Sequence, residues 1–270
     1  MEIKSKCIDR IYMRLCDDLL NAPEVNGTRE INNVKITLTN IENNVISCRN
    51  ISLPYMLGEL LWYFTGRNDA YFISKFGSMW SRISDDGVTN NSAYGYTLMK
   101  KHGFDQIEKI IELLKIDPYS RRAVLNINEA NEHVIETKDE PCTIAIQFLL
   151  RDGKLNCTVM MRSNDIWFGF PYDVVFFTEL QKYVATRLGV EYGEYTHFAT
   201  SLHVYDKDLE KISDLKPDNK KVYINSGEFH VMKRMLAEIM AVSRSAKYEI
   251  VEYAKYYGII REVTNEDKID

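Results

Sequence analysis

The sequence has few cysteines and no long apolar run. Its 270 residues include five cysteines, none of them in a C-x-x-C pair, so neither a disulfide framework nor a zinc ribbon is predicted. No stretch approaches the roughly 18 consecutive apolar residues of a membrane-spanning helix, and the amino terminus lacks an apolar signal core. We therefore expect a cytoplasmic protein that carries reduced thiols and binds no membrane.

An excess of positive charge is also missing. There are 34 Lys and Arg residues against 39 Asp and Glu, a net charge of −5. This balance argues against DNA as a partner, and an anionic ligand must meet a local cationic pocket. No Gly-rich phosphate loop of either nucleotide-binding type occurs, and no metal site is predicted.

Hydrophobic periodicity predicts interleaved helices and strands. Helical spacing covers residues 6–20, 55–64 and 228–257, a further helix ends near Pro118, and another covers 173–188 before Gly189. Apolar residues at 34–38, 45–48 and 123–127 predict strands. Strands at 143–150 and 155–161 flank an Asp-Gly turn, which favours a hairpin. Without a linker or repeat, we predict one α/β (α+β) domain over residues 1–270, in which sheet and helices are not doubly wound.

Polar groups at the ends of predicted strands are candidate site residues. Cys142 begins one strand, and the block Arg162-Ser-Asn-Asp165 ends another. Taken alone, a cysteine at such a place is more often a small buried hydrophobe than a nucleophile. Single residues therefore do not establish an active site.

The motifs in combination are more informative. The segment Met161-Arg-Ser-Asn-Asp-Ile-Trp-Phe-Gly-Phe-Pro-Tyr-Asp173 resembles the R-S-x-D-x-x-x-G-x-P-x-N segment of thymidylate synthases. Five other segments resemble motifs of the same family in the same order, namely Gly58-Glu-Leu-Leu-Trp-Tyr-Phe, Ala93-Tyr-Gly, Ser120-Arg-Arg, Pro141-Cys and Leu202-His-Val-Tyr. The resemblance implies the family's α/β domain, with a bent mixed sheet flanked by helices. It also implies a homodimer joined sheet to sheet, in which each active site borrows Arg121 and Arg122 from the partner subunit.

The family resemblance assigns roles to the reacting residues. Cys142 adds to C6 of a pyrimidine nucleotide, and C5 then attacks the methylene of the co-substrate methylenetetrahydrofolate. Glu59 is the proton shuttle, and its apolar surroundings should raise its pKa; the alternative is a helix-face acid that points to solvent. Tyr94 orients the region around the cysteine. The arginines that hold the phosphate are expected to lower the pKa of Cys142.

Other residues are assigned to binding. The resemblance implies phosphate contacts from Arg162, Ser163, Arg121 and Arg122. Arg29 is a weaker phosphate candidate, because its motif match is loose and a solvated loop charge is the simpler interpretation. Asp165 would bind the pterin ring, and Trp80 would stack on folate or base unless it is an ordinary core tryptophan. His203 and Tyr205 would hold a sugar hydroxyl; alternatively they are ordinary strand residues.

Asp173 distinguishes branches of the family. Thymidylate synthases carry there the Asn that pairs with uracil, whereas deoxycytidylate hydroxymethylases carry Asp, and Thr143 after the cysteine also fits that branch. Cytosine offers an amino donor at C4 and an acceptor at N3, so a carboxyl group that shares one proton matches both. The alternative for Asp173 is a helix N-cap. We therefore predict a hydroxymethyltransferase that acts on dCMP or CMP.

Other functions remain open from sequence. One alternative is a thymidylate synthase or dUMP hydroxymethylase, and another is a noncatalytic nucleotide- or RNA-binding relative. The polar residues 263–270 contrast with the apolar tail that closes thymidylate synthases against water, and a wetter site favours a hydroxymethyl product. Sugar preference is also left open.

Overall fold

A mixed β-sheet packed against helices dominates the part of the chain that the computed structural model describes, which comprises residues 1–130, 136–215, 220–224, 229–241 and 246–264. The strands are β1 Glu2–Ser5, β2 Glu24–Val25, β3 Thr28–Leu38, β4 Val124–Asn126, β5 Thr143–Arg151, β6 Lys154–Met161, β7 Asn164–Asp165, β8 Glu191–Tyr205, β9 Lys220–Ile224 and β10 Ile260–Thr264. In the main sheet their order is β1-β3-β8-β6-β5-β4, with β2 beside β3 and β7 beside β8. β9 and β10 form a separate antiparallel pair.

Helices cover one face of the main sheet. They are α1 Ile8–Leu20, α2 Leu53–Phe64, α3 Ala70–Ser74, α4 Met79–Ile83, α5 Tyr94–Met99, α6 Gln106–Ile116, α7 Phe170–Leu188, α8 Leu209–Ser213, α9 Phe229–Ala241 and α10 Ala246–Tyr256. α1 packs on β3, and α7 packs on β6 and β8. Core-facing strand residues such as Val159 and His197 are buried, whereas their neighbours Met160 and Phe198 on the opposite face are half-buried.

The hairpin formed by β5 and β6 confirms the turn signal in the sequence. Asp152 and Gly153 have φ values of 50° and 73°, as a type I′ turn requires. The two strands pair antiparallel from Thr143 with Met161 to Arg151 with Lys154. The register places Cys142, directly before β5, beside the carboxyl end of β6.

Two predicted elements differ from the structure. Residues 45–48 are not a strand, because Ser47 and Cys48 donate their backbone N–H groups to Asp9 Oδ1 at 2.7 and 3.0 Å instead of to a neighbouring strand. The residues between Gly77 and Tyr94 are rich in Ser, Asp, Asn and Gly, which predicts a surface loop, but only part of this segment is one. It contains α4, and its Trp80 is buried.

The helices α9 and α10 confirm the helical spacing predicted within residues 228–257. The apolar side chains of Met232, Met235 and Ile239 on α9 are buried in the core. Residues 265–270, most of the polar tail, lie outside the described residues. Among the described helices, none is both long and apolar enough to cross a membrane.

Candidate active site

Cys142 lies half-buried in a loop that Arg162 holds in place. The Arg162 backbone N–H donates to the Cys142 carbonyl at 2.9 Å. The guanidinium donates through Nε to the Pro141 carbonyl and through Nη2 to the Glu140 carbonyl, each at 3.0 Å. Arg162 therefore positions the cysteine loop besides placing a positive charge next to it.

Burial and the charge of Arg162 have opposite effects on the acidity of the Cys142 thiol. Burial raises its pKa to about 11. The positive charge of Arg162 lowers this pKa, as predicted, but the carboxylate of Asp173 opposes it. Within one chain desolvation outweighs this single arginine. The lowering expected from Arg162 together with Arg121 and Arg122 of the partner subunit stays a prediction.

Glu59 is buried on α2 and is held by two other side chains. Tyr55, one helical turn earlier, donates its hydroxyl to Glu59 Oε1 at 2.6 Å. Trp80 Nε1 in turn donates to the Tyr55 hydroxyl at 3.0 Å. The Trp80 side chain is 6% exposed and its ring lies 5.0 Å from that of Trp62, which favours the core interpretation of this tryptophan.

Burial has the predicted effect on Glu59. It raises the pKa to about 8, while the hydrogen bond from Tyr55 lowers it and the nearby charge of Asp173 raises it. A carboxyl group with such a pKa exchanges its proton near neutral pH, which suits a general acid or base.

Asp173 lies inside the first turn of α7 and is not its N-cap. The cap position is Gly169, and Pro171 occupies the first turn, where its missing N–H costs nothing. Asp173 Oδ2 accepts from Asn164 Nδ2 at 2.7 Å. Burial raises the pKa of Asp173 to about 7, against the effect of that hydrogen bond.

The Asn164 amide connects Asp173 to two side chains of β8 by hydrogen bonds. Its Oδ1 lies 3.0 Å from His197 Nε2, and His197 Nδ1 lies 2.9 Å from the Tyr195 hydroxyl. His197 is 2% exposed and Tyr195 is fully buried. A Cβ on Gly169 would lie 2.9 Å from Asn164 Nδ2, so the glycine of this motif leaves room for the amide.

Tyr94 occupies the space between α2 and α7. A Cβ on the following residue, Gly95, would lie 1.8 Å from the Tyr63 carbonyl oxygen, so glycine is required for α5 to approach α2. The Tyr94 ring stacks on Tyr63 at 5.3 Å. Burial raises the pKa of its hydroxyl, and the charges of Asp173 and Cys142 raise it further, as expected for a phenol beside both groups.

A second group of predicted residues lies where β7 pairs with β8. Asp165 pairs in register with His203, and Ser163 Oγ lies 3.5 Å from His203 Nδ1. Asp165 Oδ1 accepts the backbone N–H of Trp167 at 2.7 Å. Burial lowers the pKa of His203, which favours a neutral ring. Tyr205 is 43% exposed at the end of β8.

The three remaining arginines lie in different surroundings. Arg29 is half-buried at the start of β3 and donates through Nη1 to the Ala22 carbonyl at 3.0 Å, so it is not a solvated loop charge. Arg121 and Arg122 are exposed before β4. Within the described ranges neither of them forms an ion pair, and neither is among the groups whose charge affects Cys142.

Sequence reasoning missed three residues that support the site, namely Tyr55, Tyr195 and His197. It also gave Asn164 no role, although this residue lies in the polar block that ends at Asp165. The spacing of four residues between Tyr55 and Glu59 on a predicted helix indicates their contact. Alternation along a strand places Tyr195 and His197 on the same face. Their connection to Asn164 depends on strand pairing, which the sequence alone does not reveal.

Comparisons with known proteins agree with this architecture. The profile of the family described as "Thymidylate synthase" matches residues 11–263. The thermostable thymidylate synthase A of Bacillus subtilis superposes with a TM-score of 0.68 at 24% identity, over 82% of this chain and 90% of that one. This structural likeness confirms the predicted fold with a bent mixed sheet.

Two phage proteins are similar in sequence. The chain is 32% identical to the deoxyuridylate hydroxymethyltransferase of Bacillus phage SP01, over 96% of this chain and 74% of the relative. It is 37% identical to the deoxyuridylate hydroxymethyltransferase of Pseudomonas phage M6, over 60% of this chain and 47% of the relative. These matches and the fold define a one-carbon transferase that acts on a pyrimidine nucleotide. The chain belongs to the thymidylate synthase family.

Proposed function

We propose that this enzyme hydroxymethylates C5 of a cytosine monophosphate, dCMP or CMP, with methylenetetrahydrofolate as co-substrate. The observation that carries the choice of base is the carboxyl group of the half-buried Asp173, whose Oδ2 accepts a hydrogen bond from Asn164. A carboxyl group that keeps one proton offers an acceptor to the C4 amino group of cytosine and a donor to N3. The names of the two phage relatives support a hydroxymethyl product.

A second candidate substrate is dUMP. The relatives from phages SP01 and M6 are both named deoxyuridylate hydroxymethyltransferases, and the match to the SP01 protein spans nearly the whole chain. Uracil presents an acceptor at C4 and a donor at N3, the reverse of cytosine. To bind uracil, the carboxyl group of Asp173 would have to donate to the C4 oxygen and accept from N3.

Within the proposed mechanism, Cys142 and Glu59 act on the nucleotide. The Cys142 sulfur adds to C6, which makes C5 nucleophilic, and the one-carbon unit for C5 comes from methylenetetrahydrofolate. Loss of the C5 proton and release of tetrahydrofolate then leave an exocyclic methylene on C5. Addition of water to this methylene and departure of the Cys142 thiolate from C6 complete the reaction. Glu59 moves protons through water, while Tyr94 packs beside Cys142 and Asp173.

We propose that the residues around the β7–β8 pairing, together with the arginines, bind the nucleotide and the folate. We assign phosphate to Arg162 and Ser163, with Arg29 as a weaker candidate, and a sugar hydroxyl to His203 and Tyr205. Asp165 fits a pterin ring, because its Oδ1 is used by the backbone while Oδ2 has no hydrogen bond within the described residues. In the same ranges no group of three or more ligating side chains could hold a metal, and the proposed chemistry uses none.

The product assay tests this proposal. We expect a hydroxymethyl increment on dCMP or CMP when the protein is incubated with methylenetetrahydrofolate and each of dCMP, CMP and dUMP, as measured by mass spectrometry. Asp173→Asn should lower the preference for cytosine over uracil by about 10- to 100-fold, since an amide matches uracil. The matched control is Asp105→Asn, which changes the carboxylate that caps α6. A wild-type preference for dUMP would select the second candidate.

We further propose a cytoplasmic homodimer of single-domain subunits, with each site completed by Arg121 and Arg122 of the partner subunit. Both side chains are exposed beside the sheet, and half-buried Met160 and Phe198 lie on the sheet face that α7 does not cover. We expect Arg122→Ala and Cys142→Ala proteins, each inactive alone, to regain up to about a quarter of wild-type activity when mixed, because mixed dimers contain one intact site. The control is a mixture of the Cys142→Ala and Cys142→Ser proteins, which should not regain activity because neither subunit has the thiol. A monomer in sedimentation analysis, or no recovery on mixing, would contradict the shared site.

A further inference from the structure

We propose that a hydrogen-bond chain from Tyr195 through His197 and Asn164 determines which oxygen of Asp173 accepts hydrogen bonds, and thereby sets the choice between cytosine and uracil. The inference rests on the proposed function, because it assumes that Asp173 reads the base. Tyr195, His197 and Asn164 are positioning residues in this scheme, since they act through Asp173.

The direction of the chain follows from the buried Tyr195 hydroxyl. Within the described residues its one hydrogen-bond partner is His197 Nδ1, at 2.9 Å. Tyr195 is fully buried, so its proton must go to that nitrogen, because a buried donor without an acceptor is unfavourable. A neutral imidazole has one donor and one acceptor nitrogen, and accepting at Nδ1 therefore places the ring proton on Nε2.

The rest of the chain is then determined. His197 Nε2 donates to Asn164 Oδ1 at 3.0 Å, which leaves Asn164 Nδ2 to donate to Asp173 Oδ2 at 2.7 Å. Burial lowers the pKa of His197 to about 3, so the ring stays neutral at working pH. The reversed amide would direct the oxygen of Asn164 at the carboxyl group and leave the Tyr195 hydroxyl without an acceptor.

This order polarises Asp173. Oδ2 is held as an acceptor, so a proton on the carboxyl group resides on Oδ1. Burial raises the pKa of Asp173 to about 7, which makes that proton available near neutral pH. Asp173 therefore presents a donor and an acceptor in a fixed order, and cytosine and uracil present opposite orders at C4 and N3.

The test compares two tyrosine variants. Tyr195→Phe removes the hydroxyl that orients His197, so both ring tautomers and both amide orientations become accessible. We expect the ratio of kcat/KM for dCMP to that for dUMP to move toward one by at least about tenfold. His197→Phe should move it in the same direction. The control is Tyr183→Phe, which removes a hydroxyl bound to Arg187 on the same helix as Asp173 and should leave the ratio within twofold.

The ratio separates this inference from loss of folding and from the proposed function. Both nucleotides are measured on the same preparation, so a smaller folded fraction cancels. An unchanged ratio in Tyr195→Phe and His197→Phe would overturn the role of the chain. A wild-type preference for dUMP would contradict the cytosine assignment. If the ratio of the two kcat/KM values still moved toward one in the variants, the role of the hydrogen-bond chain would nevertheless be supported. If neither nucleotide turns over, the proposed function fails, and the ratio of the two Kd values from calorimetry tests the chain by the same criterion.

Discussion

Replacement of Cys142 by Ser is expected to lower turnover by about 10⁴-fold or more, because a serine hydroxyl without a dedicated base is a poor nucleophile toward a ring carbon. The loop should keep its shape, since the Arg162 hydrogen bonds go to the backbone carbonyls of residues 140, 141 and 142. Steady-state product formation, with circular dichroism as a check on folding, measures the effect.

A second cysteine provides the control for this variant. Cys7 is also half-buried but precedes α1, far along the chain from the site, so Cys7→Ser should retain nearly full activity. Full turnover by Cys142→Ser would exclude Cys142 as the nucleophile. Intact-protein mass spectrometry with nucleotide offers independent evidence, because only a protein with the reactive thiol can carry a covalent adduct. Loss of adduct and turnover together would also exclude a noncatalytic binding protein.

Glu59→Gln is expected to lower kcat by about 10² to 10⁴-fold, the usual effect of removing a general acid or base. The amide keeps the size of the side chain and can still accept from the Tyr55 hydroxyl, so nucleotide binding should change little. The pH profile of the variant should lose the inflection that Glu59 causes near pH 8. Glu112→Gln, a change on the exposed face of α6, is the matched control. A variant with normal kcat would show that Glu59 is only structural.

The same variant also changes how stability depends on pH. The pKa of Glu59 is raised from 4.5 to about 8 on folding, so the folded state binds more protons than the unfolded chain between these values. Stability therefore falls as pH rises through this interval. Glu59→Gln should remove this loss. The free energy of unfolding of the variant should therefore exceed that of wild type by about 4 kcal/mol at pH 8, with little difference at pH 4. Denaturant midpoints of both proteins at pH 4 and at pH 8 measure this difference in stability. Parallel pH curves for the two proteins would contradict the buried ionisation of Glu59.

Much of the fold could be predicted from local patterns in the sequence. The Asp152-Gly153 turn specifies the β5–β6 hairpin, and Gly189, with φ of 69°, ends α7 as predicted. The error at residues 45–48 has a nonlocal cause, because the carboxylate of Asp9 supplies the hydrogen bonds that a strand would have required. A short apolar run does not reveal such a partner 38 residues away.

The grouping of the candidate site residues was predictable, but their electrostatic environment was not. Motif order predicts that Cys142, Glu59 and Asp173 belong to one site, and the charge of Asp173 acts on the other two groups. Their ionisation depends on burial, however, and burial raises the pKa of Cys142 to about 11 although an arginine lies beside it. The positioning residues Asn164 and His197 lie 33 residues apart in the sequence, and their side-chain contact joins distant segments, which periodicity does not encode.

The high pKa of Cys142 also bears on how the protein withstands oxidants. Peroxides react with thiolates, and the first oxidation product of a cysteine leads on to irreversible sulfinic and sulfonic acids. A pKa of about 11 leaves about one thiol in 10⁴ ionised at pH 7. Within a single chain, Cys142 is therefore almost entirely in the unreactive thiol form. In the proposed dimer, reactivity toward the substrate and sensitivity to oxidation would arise together, when arginines of the partner subunit stabilise the thiolate.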